Sequence, residues 1–121
     1  MTNVYYANAD GSLLVQAVYA VDGKAPEGLT ALEGNTTDAA KEKHVPVVER
    51  EGNTVTVTVG SVAHPMQDAH YITFIGLRQG KREQRVYLNP GEAPRAVFQV
   101  EDGPLTVYEY CNLHGLWKTE A

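Results

Sequence analysis

The sequence predicts an all-β protein, an antiparallel β-sandwich with a short N-terminal β extension. Residues 54–59 alternate threonine and valine strictly, which is typical of a half-buried antiparallel strand. Apolar segments recur about every 8–12 residues between turns that contain glycine or proline, as in known sandwiches. No stretch has a convincing helical period, so helices are expected to contribute little.

Six segments are predicted as strands of the sandwich: 46–51, 54–59, 71–77, 83–88, 95–100 and 105–111. Turn residues separate them. Gly52 and Asn53 mark the first turn, and residues 89–91 (Asn-Pro-Gly) mark a later one, because proline restricts φ and glycine accepts a positive φ. Residues 101–104 (Glu-Asp-Gly-Pro) precede the last predicted strand.

The chain before residue 37 differs in character from the rest. Residues 3–20 predict one hairpin, made of VYYA, a turn at 8–12 and LLVQAVYAV. Residues 23–34 contain several glycines and prolines and predict a loop, and residues 36–43 predict one helical turn capped by Thr37 or Asp38. We therefore expect an N-terminal extension, residues 1–36, and a larger domain, residues 37–121.

Composition narrows the class of protein. A length of 121 residues suits one compact domain with a small appendage. The formal net charge of −5 argues against nucleic acid as the main partner. A single cysteine excludes an internal disulfide, and no apolar run approaches the roughly 18 residues of a membrane helix. The first residues have no Sec-type signal pattern, so we expect a cytoplasmic protein without a membrane partner.

The candidate functional residues are the four histidines and the one cysteine: His44, His64, His70, His114 and Cys111. Each lies beside a predicted turn or strand end, where binding residues collect on a rigid sandwich. Cys111 and His114 form a Cys-x-x-His pair, which suits a chelate because a turn brings both donors to one side. Backbone N–H groups of such a turn can also point at the thiolate. Together these features indicate a metal site.

Three metals compete for such a set of donors. Structural zinc usually takes four ligands, commonly with two or more thiolates, so five donors are one too many. Blue copper uses two histidines, one cysteine and a weak axial methionine on a β-sandwich, but Met66 lies in the wrong loop for that role. A cupredoxin-like electron carrier is nevertheless the serious alternative. Iron accepts imidazole and five or six ligands, which leaves a position open for a small molecule.

A cysteine–histidine hydrolase is the interpretation from another class of protein. It would need a third residue to orient His114 as a base. It would also leave the other three histidines without a role, and no segment has the pattern of a nucleophile elbow. The hydrolase hypothesis is therefore the weakest of the alternatives.

Four segments resemble the superoxide reductase family, the neelaredoxin and desulfoferrodoxin iron proteins: KEKHVPVVE (41–49), GSVAHPMQDAHYI (60–72), LNPGEAPRAVF (88–98) and EYCNLHGLWK (109–118). The resemblance spans about residues 37–118 and implies an immunoglobulin-like β-sandwich. It implies one mononuclear iron with an axial Cys111 and four equatorial ligands, His44, His64, His70 and His114. The implied reaction is one-electron reduction of superoxide to hydrogen peroxide, with two protons taken up and no O₂ released.

The resemblance also implies roles for two charged residues before His44. Lys43 would draw superoxide in and order a proton-donating water, and Glu42 would take the sixth position of the oxidised iron. On their own, these residues would be interpreted as two solvated loop charges. The family further implies rubredoxin or a similar electron donor, and a homodimer or homotetramer.

The N-terminal extension departs from the two-iron members of the family. VYYANADG (4–11) resembles a remnant of their desulforedoxin-like domain, with Ala7 and Asp10 about where cysteines would stand. Because no cysteine is available for a second iron, we expect a one-iron protein. Residues 1–36 are then a cysteine-less extension, and electrons must arrive from a separate donor.

Overall fold

The computed structural model describes residues 5–19 and 25–121, and the chain divides into two compact units, Met1–Glu33 and Gly34–Ala121. The first unit contains three short antiparallel strands, β1 (Tyr5–Ala7), β2 (Leu14–Gln16) and β3 (Thr30–Ala31), in the order β2-β1-β3. The predicted hairpin is present but its second strand is shorter than expected. Some predicted residues lie outside the described part of the chain: Asn3, Val4, Ala20 and Val21 of the hairpin, and Gly23 and Lys24 of the loop.

Side chains close the turn of this hairpin. The Asn8 amide oxygen accepts a hydrogen bond from the Leu13 N–H (3.0 Å), and the Asp10 carboxylate accepts from the Ser12 N–H (2.9 Å). Asparagine and aspartate favour turns because their side chains bond the backbone a few residues on. The prediction of a loop throughout 23–34 was wrong at its end, because Thr30 and Ala31 pair with Ala7 and Tyr6.

The second unit is an immunoglobulin-like β-sandwich, so the predicted all-β class is confirmed. Its strands are β4 (Pro46–Glu51), β5 (Thr54–Val59), β6 (Ile72–Gln79), β7 (Arg82–Tyr87), β8 (Arg95–Gln99), β9 (Thr106–Cys111) and β10 (Gly115–Glu120). A four-stranded sheet has the order β10-β9-β6-β7, and a three-stranded sheet has the order β4-β5-β8. Every pairing within these sheets is antiparallel.

The core lies between the two sheets and follows the strand periodicity. Val55, Val57 and Val59 on β5 have no exposed surface, whereas the threonines between them are half-buried. On β6, Ile75 and Leu77 are buried among the same cluster. Burying an aliphatic side chain of this size contributes about 1.5–3 kcal/mol, so these strands form a firm support for the loops at their ends.

Strand β10 was not predicted. Residues 112–114 form a three-residue turn, and Gly115 follows with a φ of 83°, a left-handed conformation that favours glycine. The chain therefore reverses directly after Cys111, and β10 pairs with β9 from Gly115 opposite Cys111 onwards.

The one helix of the described residues is a single turn, α1 (Lys41–His44). It begins after Ala40, which makes no side-chain capping bond, so the predicted caps Thr37 and Asp38 were wrong. In the part of the chain that the structure describes, no helix is long and apolar enough to span a bilayer.

Candidate metal centre

The structure brings the five candidate donors to one end of the sandwich. His44 is the last residue of α1, just before β4, and His64 lies in the loop after β5. His70 lies just before β6, Cys111 is the last residue of β9, and His114 ends the turn before β10. Because Pro46 pairs with Val59 in one sheet and Ile72 pairs with Cys111 in the other, these chain ends meet.

The four imidazoles form a closed ring in which neighbours meet edge to face. The centroid of His44 lies 4.8 Å from that of His64 and 4.8 Å from that of His114. The centroid of His70 lies 4.6 Å from that of His64 and 5.0 Å from that of His114. His44 and His70 are farther apart, at 6.4 Å, and nearly parallel at 29°. His44 and His70 therefore lie on opposite sides of the ring.

Backbone carbonyls determine which nitrogen carries the proton in two histidines, and Nε2 of His44 also lies 3.0 Å from Nδ1 of His114. Nδ1 of His44 lies 2.6 Å from the Ala40 oxygen, and Nδ1 of His64 lies 2.6 Å from the Pro65 oxygen. A carbonyl can only accept, so both Nδ1 atoms carry the proton, and in a neutral ring Nε2 then presents a lone pair. The two Nε2 atoms lie 3.3 Å apart. Two lone pairs at that distance repel each other unless a cation lies between them.

Burial keeps these rings in the form that binds metals. It lowers the pKa of His64 to about 4, and it lowers the pKa of His44 and of His70, with smaller effects of neighbouring charges. At neutral pH the three rings are therefore uncharged, and neutral imidazole is the form that coordinates metal ions. Nε2 of His70 is buried and has no hydrogen-bond partner in residues 5–19 and 25–121.

Cys111 is the fifth candidate donor and lies next to His114. Its side chain is fully buried, and its Sγ lies 3.8 Å from Nδ1 of His114. Burial raises the pKa of the Cys111 thiol, and hydrogen bonds from the backbone of Leu113 and His114 oppose that rise. Those bonds favour the thiolate and moderate how strongly the sulfur donates to a metal.

The donors do not all lie equally close together. The ligand atoms of His44, His70, Cys111 and His114 all lie within 4.8 Å of one another. His64 lies outside that group of four and joins it through the contact of its Nε2 with Nε2 of His44. Imidazole and thiolate donors in this number suit a transition metal, and five of them suit iron better than tetrahedral zinc.

Glu42 and Lys43 lie on the exposed side of α1, and the loop after β5 holds their backbone. The Val62 N–H and the Ser61 hydroxyl donate to the Glu42 carbonyl, at 2.9 and 3.2 Å. The charge of Lys43 is close enough to contribute, after burial and other histidines, to the lowered pKa of His70. The two charged groups therefore lie beside the ring of imidazoles.

Sequence reasoning did not single out Trp117 as a residue of the site. Its ring is fully buried and stacks on that of His44, with centroids 5.0 Å apart and planes at 27°. Its indole N–H donates to the His114 carbonyl at 3.1 Å. Trp117 thus supports both His44 and His114. The signal in the sequence that could have identified it is its position in a strand, two residues after Gly115.

Glu109 is a second residue that the sequence reasoning missed. It shares the inward face of β9 with Cys111 and is fully buried. Neither carboxyl oxygen has a hydrogen-bond partner among the described residues, and burial raises the pKa of Glu109 well above its ordinary value. The raised pKa favours the protonated carboxyl group, which avoids a second negative charge near the Cys111 sulfur.

A β-sandwich that gathers four imidazoles and one thiolate at one end defines the class, a mononuclear non-haem metal protein. A family model described as Desulfoferrodoxin matches residues 36–120. The chain belongs to the desulfoferrodoxin family.

Known proteins similar to this chain include desulfoferrodoxins and superoxide reductases. A desulfoferrodoxin of Syntrophotalea carbinolica is 52% identical over 93 residues, covering 77% of this chain and 74% of the relative. Among solved structures, the superoxide reductase from Treponema pallidum has a TM-score of 0.72 and 41% identity, covering 88% of this chain and 92% of that one. The superoxide reductase (1Fe-SOR) from Giardia intestinalis has a TM-score of 0.59 and 35% identity, covering 67% and 98%.

We predict that Gly60→Ala displaces α1 and weakens metal retention. A Cβ at Gly60 would lie 2.6 Å from the Glu42 carbonyl oxygen and 3.0 Å from the Lys43 carbonyl carbon, and backbone cannot move aside as a side chain can. We expect a loss of about 1–3 kcal/mol in the free energy of unfolding and less iron per chain, by elemental analysis. Gly76→Ala is the control, because its Cβ would meet nothing closer than 3.5 Å. Equal iron content in both variants would contradict the prediction.

We predict that Glu109→Gln stabilises the protein increasingly as pH rises. A carboxyl group whose folded pKa is raised stabilises the fold below its unfolded pKa, and that contribution is lost as pH rises towards the folded pKa. Glutamine has the same shape and does not ionise. The melting temperature of the variant minus that of the wild type should therefore grow between pH 5 and pH 8. A difference that stays constant across this range would show that Glu109 has an ordinary pKa.

Proposed function

We propose that this chain is a superoxide reductase that uses one iron ion bound by His44, His64, His70, His114 and Cys111. The observation that carries the proposal is the ring of neutral imidazoles. In it, Nε2 of His44 and Nε2 of His64 lie 3.3 Å apart while both Nδ1 atoms are already hydrogen-bonded to carbonyls. A cation satisfies that arrangement. The similarity to the superoxide reductase of Treponema pallidum supports the reaction.

When bound, the iron supplies one electron to each superoxide, which takes up two protons and becomes hydrogen peroxide. The donor set determines the charge of the centre. Four imidazoles are neutral and the Cys111 thiolate carries one negative charge, so a ferrous centre retains a single positive charge. That charge attracts an anionic substrate to a chain whose net charge is −5.

Cys111 is proposed as the strongest electron donor of the set. A thiolate ligand would donate electron density to a bound iron, as in thiolate-bound haem proteins. The backbone of Leu113 and His114 holds that sulfur by hydrogen bonds, and the turn before β10 keeps the two groups in place. The complete burial of Cys111 excludes water from the sulfur.

Lys43 and Glu42 are proposed to act at the exposed side of the centre. Both are exposed at the surface of α1, next to the buried His44. An ammonium group there attracts superoxide and can orient a water that donates a proton. The Glu42 carboxylate on the same turn would be a candidate ligand for a bound iron.

The two parts of the chain are proposed to differ in role. We propose that residues 37–121 are the catalytic domain and that residues 1–36 are a cysteine-less, desulforedoxin-like extension. A match covering 88% of the chain is longer than the unit Gly34–Ala121, so the similarity to the Treponema pallidum protein reaches into the extension. The single cysteine is used at the catalytic iron, so no second iron of the rubredoxin type can bind.

Electron supply and assembly follow from the same proposal. We propose rubredoxin or a similar small carrier as electron donor, and a homodimer or homotetramer as the assembly. One unpaired cysteine suits a reducing compartment, which supports a cytoplasmic location. A cupredoxin-like electron carrier is disfavoured, because two of the four imidazoles would be left without a role.

The decisive experiment exposes the reduced, iron-loaded protein to superoxide made by pulse radiolysis and counts hydrogen peroxide and O₂. We expect one hydrogen peroxide for each superoxide consumed, no release of O₂, and one oxidised iron per turnover. Stoichiometric O₂ release would make the protein a dismutase. Iron that superoxide does not oxidise would leave only the electron-carrier hypothesis.

We predict that Cys111→Ser removes the thiolate-to-iron charge-transfer band of the oxidised protein. A serine hydroxyl is a poor donor compared with a thiolate, so the rate of reaction with superoxide should also fall, by roughly 10–100-fold. Optical spectra and stopped-flow kinetics of the iron-loaded variant give both values. A band that persists in Cys111→Ser would refute the assignment of Cys111 as a ligand.

We predict that Lys43→Ala slows the encounter with superoxide by about tenfold and weakens its dependence on ionic strength. Lys41→Ala is the matched control, because Lys41 is exposed on the same helical turn. The second-order rate constant at several salt concentrations measures the effect. If both variants lose rate equally, Lys43 contributes only general surface charge.

A further inference from the structure

Asn112 connects the two segments that carry three of the five donors. It lies in the turn between Cys111 and His114, and its side-chain amide reaches the loop that carries His70. Its oxygen accepts a hydrogen bond from the Tyr71 N–H at 2.9 Å, and its NH₂ group donates to the Ala69 carbonyl at 3.0 Å. Its own N–H donates to the Tyr71 carbonyl at 3.2 Å. Asn112 therefore holds the residue on each side of His70.

His70 depends on this support more than His44 and His64 do. Carbonyl groups hold the rings of His44 and His64 through Nδ1, whereas Nε2 of His70 is buried without a hydrogen-bond partner in the described part of the chain. Among the described residues, the backbone of His70 pairs with that of Gln67 alone, by bonds of 2.9 and 3.0 Å within the same short loop. The position of the His70 ring thus depends on how its loop is fixed to the rest of the sandwich.

We propose that Asn112 is a positioning residue that keeps His70 in the donor set and so favours iron over zinc. The inference rests on the proposed iron site. We call the two side-chain bonds of Asn112, to Tyr71 and to Ala69, the clamp. With the clamp intact, five donors are available, and they suit a metal that accepts five or six ligands. Without it, His70 can move away, and three imidazoles and one thiolate remain. Four donors of that kind form the tetrahedral set that zinc prefers.

The chain offers a matched control for the clamp. The side chain of Asn35 makes the same pair of bonds, accepting from the Lys118 N–H at 2.8 Å and donating to the Lys118 carbonyl at 3.1 Å. Both asparagines are exposed. Asn35 has a φ of 68°, so Asn35→Gly removes its clamp without forcing a side chain into a left-handed conformation. None of these bonds involves a residue next to a donor.

The test measures cobalt binding to metal-free Asn112→Ala, Asn35→Gly and wild-type protein, with zinc as competitor. Five-coordinate Co²⁺ absorbs weakly in the visible range, and four-coordinate Co²⁺ absorbs strongly. For Asn112→Ala we expect cobalt affinity to fall by roughly 10–100-fold, the absorption to intensify, and zinc to displace cobalt more readily. Asn35→Gly should lose a similar amount of thermal stability and keep the wild-type spectrum.

Equal spectra and equal zinc competition in Asn112→Ala and Asn35→Gly would overturn the proposal, because both clamps would then be merely structural. If wild-type protein bound no cobalt at these donors, the proposed metal site would be wrong. The proposed role of Asn112 would then be wrong as well. A wild type that binds cobalt but does not reduce superoxide would contradict the proposed function alone.

Asn112→Asp replaces Asn112→Ala in the cobalt-binding test if the alanine variant does not fold. Aspartate retains the oxygen that accepts from the Tyr71 N–H, but a carboxylate cannot donate to the Ala69 carbonyl. An added negative charge near a cation would by itself strengthen binding. Weaker cobalt binding by this variant would therefore come from the lost geometry, and unchanged or stronger binding would count against the clamp.

Discussion

The structure of the site depends on one electrostatic constraint. The imidazole rings of four histidines face one another, and Nε2 of His44 and Nε2 of His64 present lone pairs 3.3 Å apart. Neutral rings are required there, and burial provides them by lowering the pKa values of His44, His64 and His70. Carbonyls of Ala40 and Pro65 then orient two of the rings. Lone pairs that converge in this way are stabilised by a metal ion, and the surrounding contacts serve to keep them converged.

The supporting contacts come from different parts of the chain and act on different donors. The close approach of Gly60 to the backbone of Glu42 places α1 against the loop that leads to His64. Trp117 packs on His44 and holds the His114 carbonyl. The Asn112 amide holds the loop around His70. Each contact fixes a backbone or ring position, so the rigidity of the strands is transmitted to the donors.

The sequence predicted the fold class and most strands because their apolar alternation is local and strict, as in β5. It missed β10, because GLWKTE is short and mixed in character, and pairing with β9 rather than intrinsic preference makes it a strand.

The kinds of donor could be predicted, since histidine and cysteine are few in this chain. The order of the rings, their tautomers and the clamp at Asn112 could not, because they depend on carbonyls and amides distant in sequence. Glu109 could have been found from the alternation of β9, in which it shares a face with Val107 and Cys111.

The donors come from both sheets of the sandwich, and this affects how the protein acquires its metal. His44 and His64 adjoin β4 and β5 of one sheet, whereas His70, Cys111 and His114 adjoin β6, β9 and β10 of the other. The first and last donors are separated by most of the domain, so a chain still being synthesised cannot offer a complete site. A metal ion that needs all five donors would therefore bind only after the two sheets have closed. Such an ion would join the sheets at one end, and their separation would require its release.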